Sequence, residues 1–322
     1  MLSRTADDIF WVARYVERAE NLARLLEVAD RMSKMPAETN ESQEWASVLT
    51  AGGVEEGYDE THSMVTPEAA LDFIAFDDAN PSSITNCIRA ARENARAQRH
   101  AITRDLWEAL NEAWFKVRAF EPEKVKADGL TDFVETVKQS SHLVRGSLTG
   151  TMLRDDLYRF LRLGTFVERA ESTARILDIK YHVVLPPRKP LGGATDYYHW
   201  NALLRSVSAD GSYRRVFSDR VDSLRVAELL TVRREMPRSI LSCYEQILEN
   251  LEGLSREYGR PLESQRMAGR LCGRLRYNTI QEIVRGGLHE FLTEVIDENM
   301  RIATQIRVDF HLIPESEETE PA

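Results

Sequence analysis

The sequence predicts an all-α protein: a helical bundle formed by internal duplication of one multi-helix unit, its two copies related by a pseudo-twofold axis. Three observations carry the prediction. Apolar residues recur at three- and four-residue intervals over most of the 322 residues, and no segment alternates with period two for long enough to make a strand. A thirteen-residue segment occurs twice. A shorter match follows each copy in the same order.

Taken in chain order, Ile9, Val12, Val16, Ala19, Ala23 and Leu26 mark one face of a long first helix, and Thr5 with Asp8 has the spacing of a capping box before it. Further helices are expected over residues 81–100, 105–119 and 130–148. The opening pattern returns as Phe160, Leu163, Val167, Ala170, Ala174 and Leu177, followed by helices over 221–232, 237–258 and 263–276. A last helix carries Leu288, Phe291, Leu292, Val295 and Ile296. Loops are expected at 35–40, 52–66, 124–129 and the proline- and glycine-rich 185–194, with turn or hinge signals at the Gly-Gly pairs beginning at 52, 192 and 286.

The repeat aligns Val16-Glu17-Arg18-Ala19-Glu20 through Val28 with Val167-Glu168-Arg169-Ala170-Glu171 through Ile179, without gaps, and eight of thirteen positions are identical. Shared amphipathic composition does not produce that many identities. The second match sets Pro81-Ser82-Ser83-Ile84 against Pro237-Arg238-Ser239-Ile240 and makes Cys87 equivalent to Cys243. The offsets, 151 and 156 residues, differ by a length that a loop absorbs at little cost. The expected organisation is a first helical repeat at 1–150, a second at 151–313 packed with it as one globular unit, and a disordered acidic tail at 314–322.

A 43% hydrophobic fraction is enough to fill a core, so the fold needs no staples. The net charge of −10 argues against general binding to nucleic acid or anionic membranes, which depends on a basic surface. Cys87, Cys243 and Cys272 show no metal or disulfide spacing and read as buried small hydrophobes of a reducing compartment. With neither a signal-peptide pattern nor a membrane-length apolar run, the expected address is the cytoplasm.

On a helical wheel Arg18 falls in a row with Trp11, Tyr15, Leu22, Leu25 and Met32, and Arg169 shares its row with Phe166 and Ile176. A guanidinium set against an apolar stripe has to be paired, because an unpaired buried charge costs several kcal/mol. A network of Glu17, Arg18, Glu168 and Arg169 where the copies meet would satisfy both arginines. The plainer reading lets Arg18 reach solvent and leaves Glu17 on a wet face with Glu20, Arg24 and Glu27. Arg89, Arg92, Arg96 and Arg99 form the one local basic stripe, suited to an anion or to pairing with acidic helices. The candidate cluster for anion or substrate binding, or for structural ion pairing, is therefore Glu17, Arg18, Glu168, Arg169, Arg92, Glu93, Arg96 and Arg238.

No reaction centre is legible. None of the seven histidines has a glutamate three residues before it, as a di-iron bundle requires, and Asp59 to His62 and Asp196 to His199 are the nearest carboxylate–histidine groups. Phosphate-loop and nucleophile-elbow motifs are missing, so no metal or cofactor is expected and the catalytic residues, if any, are unknown.

The opening Met1-Leu2-Ser3-Arg4-Thr5-Ala6-Asp7, then Phe10-Trp11, Arg14-Tyr15, Glu17 to Asn21, Asn80 to Ile84, Ala91 to Arg96, Gly164, Val167 to Glu171 and Pro237 to Ile240 together resemble the bacterial alpha-E family. That family is named for a helical domain with a glutamate–arginine motif, and the resemblance runs to about Phe310. It implies the company of a circularly permuted ATP-grasp protein and a transglutaminase-like cysteine protease, some members being joined in one polypeptide with the ATP-grasp portion. The implied role is a non-catalytic partner or substrate-binding subunit of a peptide or amide ligase system. Two alternatives stand beside it: an enzyme using the Glu-Arg cluster for acid–base and anion-binding work, and a homo-oligomeric scaffold. Thr165, where the first copy has Arg14, puts the equivalence of the two sites in doubt.

Overall fold

The computed structural model describes residues 3–33, 41–184, 194–218 and 220–311, and among these every regular element is helical. The first series is α1 (Ser3–Ser33), α2 (Glu41–Gly52), α3 (Glu55–Asp59), α4 (Pro67–Ala75), α5 (Ile84–Ala97), α6 (Arg104–Val117), the single turn α7 (Pro122–Lys124), a π-helical turn (Val125–Gly129) and α8 (Leu130–Thr151). The second is α9 (Asp156–Val184), α10 (Ala194–Ser206), α11 (Asp210–Phe217), α12 (Ser223–Thr231), α13 (Ile240–Tyr258), α14 (Glu263–Tyr277), α15 (Ile280–Gly286) and α16 (Leu288–Asp309).

The two long helices, α1 and α9, lie against each other at the centre. Around them, α5, α8, α2 and α10 cover α1, while α13, α16 and α2 cover α9; α6 and α14 form an outer layer on α5 with α8 and on α13 with α16. The α1–α9 contact is tight at Gly164, where an added Cβ would collide with the Phe10 carbonyl oxygen and sit 3.2 Å from the Ala13 Cβ. Glycine is needed there because the backbones themselves touch.

A helix enclosed on all sides is ordinarily apolar all round. In α1, Ile9, Phe10, Leu22 and Leu26 are buried as that rule expects, but so are Arg14, Glu17, Glu20, Asn21 and Arg24. Those polar groups are the origin of the candidate site. The surrounding helices start on local chemistry: Thr66, Ser83, Thr103, Asp222 and Ser239 each accept a backbone N–H three residues on, and Thr279 forms a capping box with Glu282.

Several expected boundaries move. Thr5 and Asp8 do not box the start of α1, because the helix already runs through Thr5; the Thr5 hydroxyl donates to Gln98 Oε1 at 2.9 Å and Asp8 Oδ2 accepts from Gln98 Nε2 at 2.6 Å. The helix expected from 81 begins at Ile84, and that expected from 237 begins at Ile240, since a serine cap precedes each. The 52–66 loop contains α3, and the 124–129 loop is a π-helical turn leading directly into α8. The expected loop at 35–40, all of that expected at 185–194 except Ala194, which begins α10, the Gly-Gly pair at 192 and the 314–322 tail lie outside the described residues. No helix among the described residues is long and apolar enough to cross a membrane.

Candidate functional site

Glu17, at the middle of α1, is 1% exposed. Its Oε1 accepts from Arg169 Nε at 2.9 Å and Arg238 Nη1 at 3.0 Å, and its Oε2 from Arg169 Nη2 at 2.8 Å and Arg145 Nη1 at 3.1 Å. Glu20, on the next turn and fully buried, takes Arg24 Nε at 3.0 Å and Arg238 Nη2 at 2.8 Å on Oε1, with the Ser141 hydroxyl at 2.6 Å and Arg145 on Oε2. One helix face thus gathers arginines from α1, α8, α9 and the segment capping α13.

The reciprocal arrangement uses the second motif. Glu168 of α9 accepts from Arg18 Nε at 2.5 Å and Nη2 at 3.0 Å and from Arg14 Nε at 2.8 Å. Glu171 accepts Arg14 Nη2 at 3.4 Å and Arg175 Nε and Nη2 at 3.1 and 3.0 Å. Aromatic faces complete the guanidinium environment: Arg14 lies 4.8 Å from the Trp11 ring and Arg169 5.3 Å from Phe166.

Burial pushes the Glu17 carboxyl up, but the charges of Arg169 and Arg238 and the Arg169 hydrogen bonds outweigh it and hold the group at about 2. Glu20 and Glu168 are lowered by the same contest between burial and neighbouring arginines. Arg238 is shifted down chiefly by burial, with Glu17 and Glu20 opposing the shift and Arg169 and Arg24 adding to it. Carboxylates held this far down and bonded on both oxygens are fixed anions, not proton carriers at neutral pH.

A polar cleft of about 90 Å³ opens beside the second pair, between α1, α9 and the end of α2; Arg18, Asn21, Ser82, Glu168, Ser172 and Arg175 are among its lining residues. Gly53, with φ of +66°, directly follows α2, and a Cβ added there would lie 3.4 Å from the Arg175 guanidinium.

Of the residues singled out from sequence, the structure brings together Glu17, Arg18, Glu168, Arg169 and Arg238. Arg92, Glu93 and Arg96 lie elsewhere on α5: Arg92 donates to Asn111 Oδ1 at 2.8 Å and pairs with Glu93 at 2.6 Å, while Arg96, 66% exposed, pairs with Glu93 at 2.7 Å. Spacing along one helix put them on a stripe, and pairing within α5 together with the bond to Asn111 of α6 uses that stripe. The plainer reading of a wet face fails for Glu17, Glu20 and Arg24, all buried, and holds for Glu27, which pairs with Arg31 and Lys138 at the rim. Arg14, Glu20, Arg24, Arg145, Glu171 and Arg175 were missed as members. Glu20/Glu171 and Arg24/Arg175 are identities of the repeat, and that was the available signal.

His62 stacks on Tyr58 at 4.2 Å, and His199 lies 3.3 Å from Glu44. Among the described residues no group of three His, Cys, Asp or Glu is placed to hold a metal ion. Burial pushes the Cys87 and Cys243 thiols up to about 12, so neither is a ready nucleophile.

A family model described as Alpha-E, a predicted alpha-helical domain with a conserved ER motif, matches residues 1–311. An uncharacterized protein of Mycobacterium bovis and another of Mycobacterium tuberculosis are each similar at 25% identity over 316 residues, covering 91% of this chain and 35% of the relative. The chain therefore spans about a third of the length of the curated relatives it matches. No solved structure matches it.

Proposed function

This chain belongs to the Alpha-E family, and we propose that it serves as a non-catalytic helical partner or substrate-binding subunit of an ATP-grasp-type peptide or amide ligase system. The observation carrying this reading is the state of the motif's carboxylates. Glu17, Glu20 and Glu168 are ionised, buried and bonded to arginines, an arrangement that locks two helices together and offers no acid or base. What is left for a ligand is the cleft beside them. The greater length of the mycobacterial relatives also favours a unit that works beside another polypeptide portion.

The same reading treats the α1–α8 and α9–α16 series as descendants of one unit, with a boundary near residue 150. Supporting it, α4 and α12 are nine residues each and α8 and α16 twenty-two each. Ser83 and Ser239 cap α5 and α13 in the same way. Tyr58 and Tyr213, both fully buried, donate to the carbonyls of Met64 and Arg220.

The test is co-purification from the native host under mild salt. An ATP-grasp protein should accompany this one, and mixing the two should raise the melting temperature of either or change ATP turnover. Purification alone, with no change in either quantity, would sink the proposal.

A further inference from the structure

We infer that the cleft between α1, α9 and the end of α2 binds a small monoanionic carboxylate with a short aliphatic stem. This names a substrate class for the binding role proposed above and rests on that reading.

The argument starts at Asn21, 6% exposed, which lines the cleft. Its Oδ1 accepts from Arg238 Nη1 at 2.9 Å, and its Nδ2 has no hydrogen-bond partner. Flipping the amide would set Nδ2 against the Arg238 donor, so Arg238 fixes the orientation and leaves Nδ2 as the unmet, buried donor of a residue that lines the cleft. An orphaned buried N–H costs about 1–3 kcal/mol, and an acceptor placed in the cleft recovers it.

The neighbouring groups also lack an acceptor rather than a donor. Glu168 and Glu171 already receive arginine N–H groups on both oxygens. Arg175 spends Nε and Nη2 on Glu171, which leaves its Nη1 unassigned among the described residues. Arg18 Nη1 reaches the Ser82 hydroxyl at 3.1 Å, a bond a carboxylate oxygen can replace.

Charge sets the valence of the ligand. Beside the cleft, Arg14, Arg18 and Arg175 face Glu168 and Glu171, so one positive charge is uncompensated. One carboxylate neutralises it, whereas a phosphate dianion overshoots.

The stem has a place as well. A second, largely apolar slot of about 30 Å³ shares Leu25 and Ala51 with the cleft and continues between Val28, Val48, Ile176 and Leu203. Glu44, about two turns of α2 before Ala51, also lines it and limits the stem to a few carbons.

The experiment is calorimetric titration of the full chain with butyrate, acetate and inorganic phosphate at constant ionic strength. Butyrate should bind, acetate more weakly, and phosphate at least about tenfold more weakly than butyrate. Asn21→Asp keeps the acceptor for Arg238 and turns the donor into a second anion; it should weaken butyrate at least about tenfold while melting no lower than the unaltered chain. Ser172→Leu, at a half-buried position, fills the cleft without touching the Asn21 bond and should abolish binding if Asn21→Asp does not fold. Equal or tighter phosphate binding, butyrate binding unchanged in either folded variant, or no heat with any probe would overturn the inference. The isolated chain is titrated, so a null result leaves co-purification with a ligase partner to stand or fall separately.

Discussion

Glu17 accepts from Arg169, Arg238 and Arg145 while almost fully enclosed, so removing its charge leaves Arg169 with no carboxylate partner and Arg238 and Arg145 with Glu20 alone. Glu17→Gln should cost about 3–5 kcal/mol of unfolding free energy, the size of a broken buried ion pair. Denaturant titration checks it, and a loss under about 1 kcal/mol would mean the network behaves as a surface one. The pH dependence has a definite sign. The folded carboxyl lies at about 2 against an ordinary 4.5, so its contribution is complete above the ordinary value and is lost as pH falls from there through about 2. Melting temperature should decline through that window in the unaltered protein and less steeply in Glu17→Gln. The cysteines give a separate check: Cys87 and Cys243 are buried thiols raised to about 12, so a thiol reagent at neutral pH should label them only after denaturation, and prompt native labelling would contradict their packing. In the sequence, helical phase identified Arg18 as an arginine needing a partner, and the repeat identified Glu168 and Arg169. Arg145 carried no signal, because its partners lie more than a hundred residues away on α1 and only packing of α8 brings them together.

Gly164 decides how closely the two central helices approach. Alanine ordinarily favours a helix over glycine by about 1 kcal/mol, yet here its Cβ would enter the space of the Phe10 carbonyl, and neither backbone can yield without moving every contact along α1 and α9. Gly164→Ala should therefore destabilise by about 1–3 kcal/mol, read as a lower denaturation midpoint; a rise would show that the helices are free to separate. The long helices were legible because six or more apolar positions repeat in phase. The shortest were not: α3, α11 and α15, of five to eight residues, hold too few turns for periodicity to accumulate, and α2, α4 and α10 were not legible either, although the nine-residue α12 was. For α4 the sequence did contain a start signal, since Thr66 caps the helix with Pro67 in its first turn, but an expected loop at 52–66 ran up to it. The π-helical turn at Val125–Gly129 joins α7 to α8 through residues that read as a glycine-ended loop.

For the molecule as a whole, the motif makes each series of helices incomplete without the other. Glu17 and Glu20 of α1 are satisfied by Arg169 and Arg238 from the second series, and Glu168 of α9 by Arg14 and Arg18 from the first. Separating the two would expose the α1–α9 contact and leave Arg14, Arg18, Arg169, Arg238 and Glu168 with no ion-pair partner and Glu17 with Arg145 alone, a larger penalty than a domain interface of ordinary polarity carries. The apolar core gives the same answer, because Phe10, Leu22, Phe160 and Val167 belong to one continuous cluster. Calorimetry on the full chain should therefore show a single transition whose calorimetric and van't Hoff enthalpies agree, even though the chain is longer than most two-state proteins. Glu17→Gln should lower that transition without splitting it. Two resolved transitions in the unaltered protein would mean that the clasp joins units already stable alone, and the cost predicted for Glu17→Gln would then have to fall on one of them.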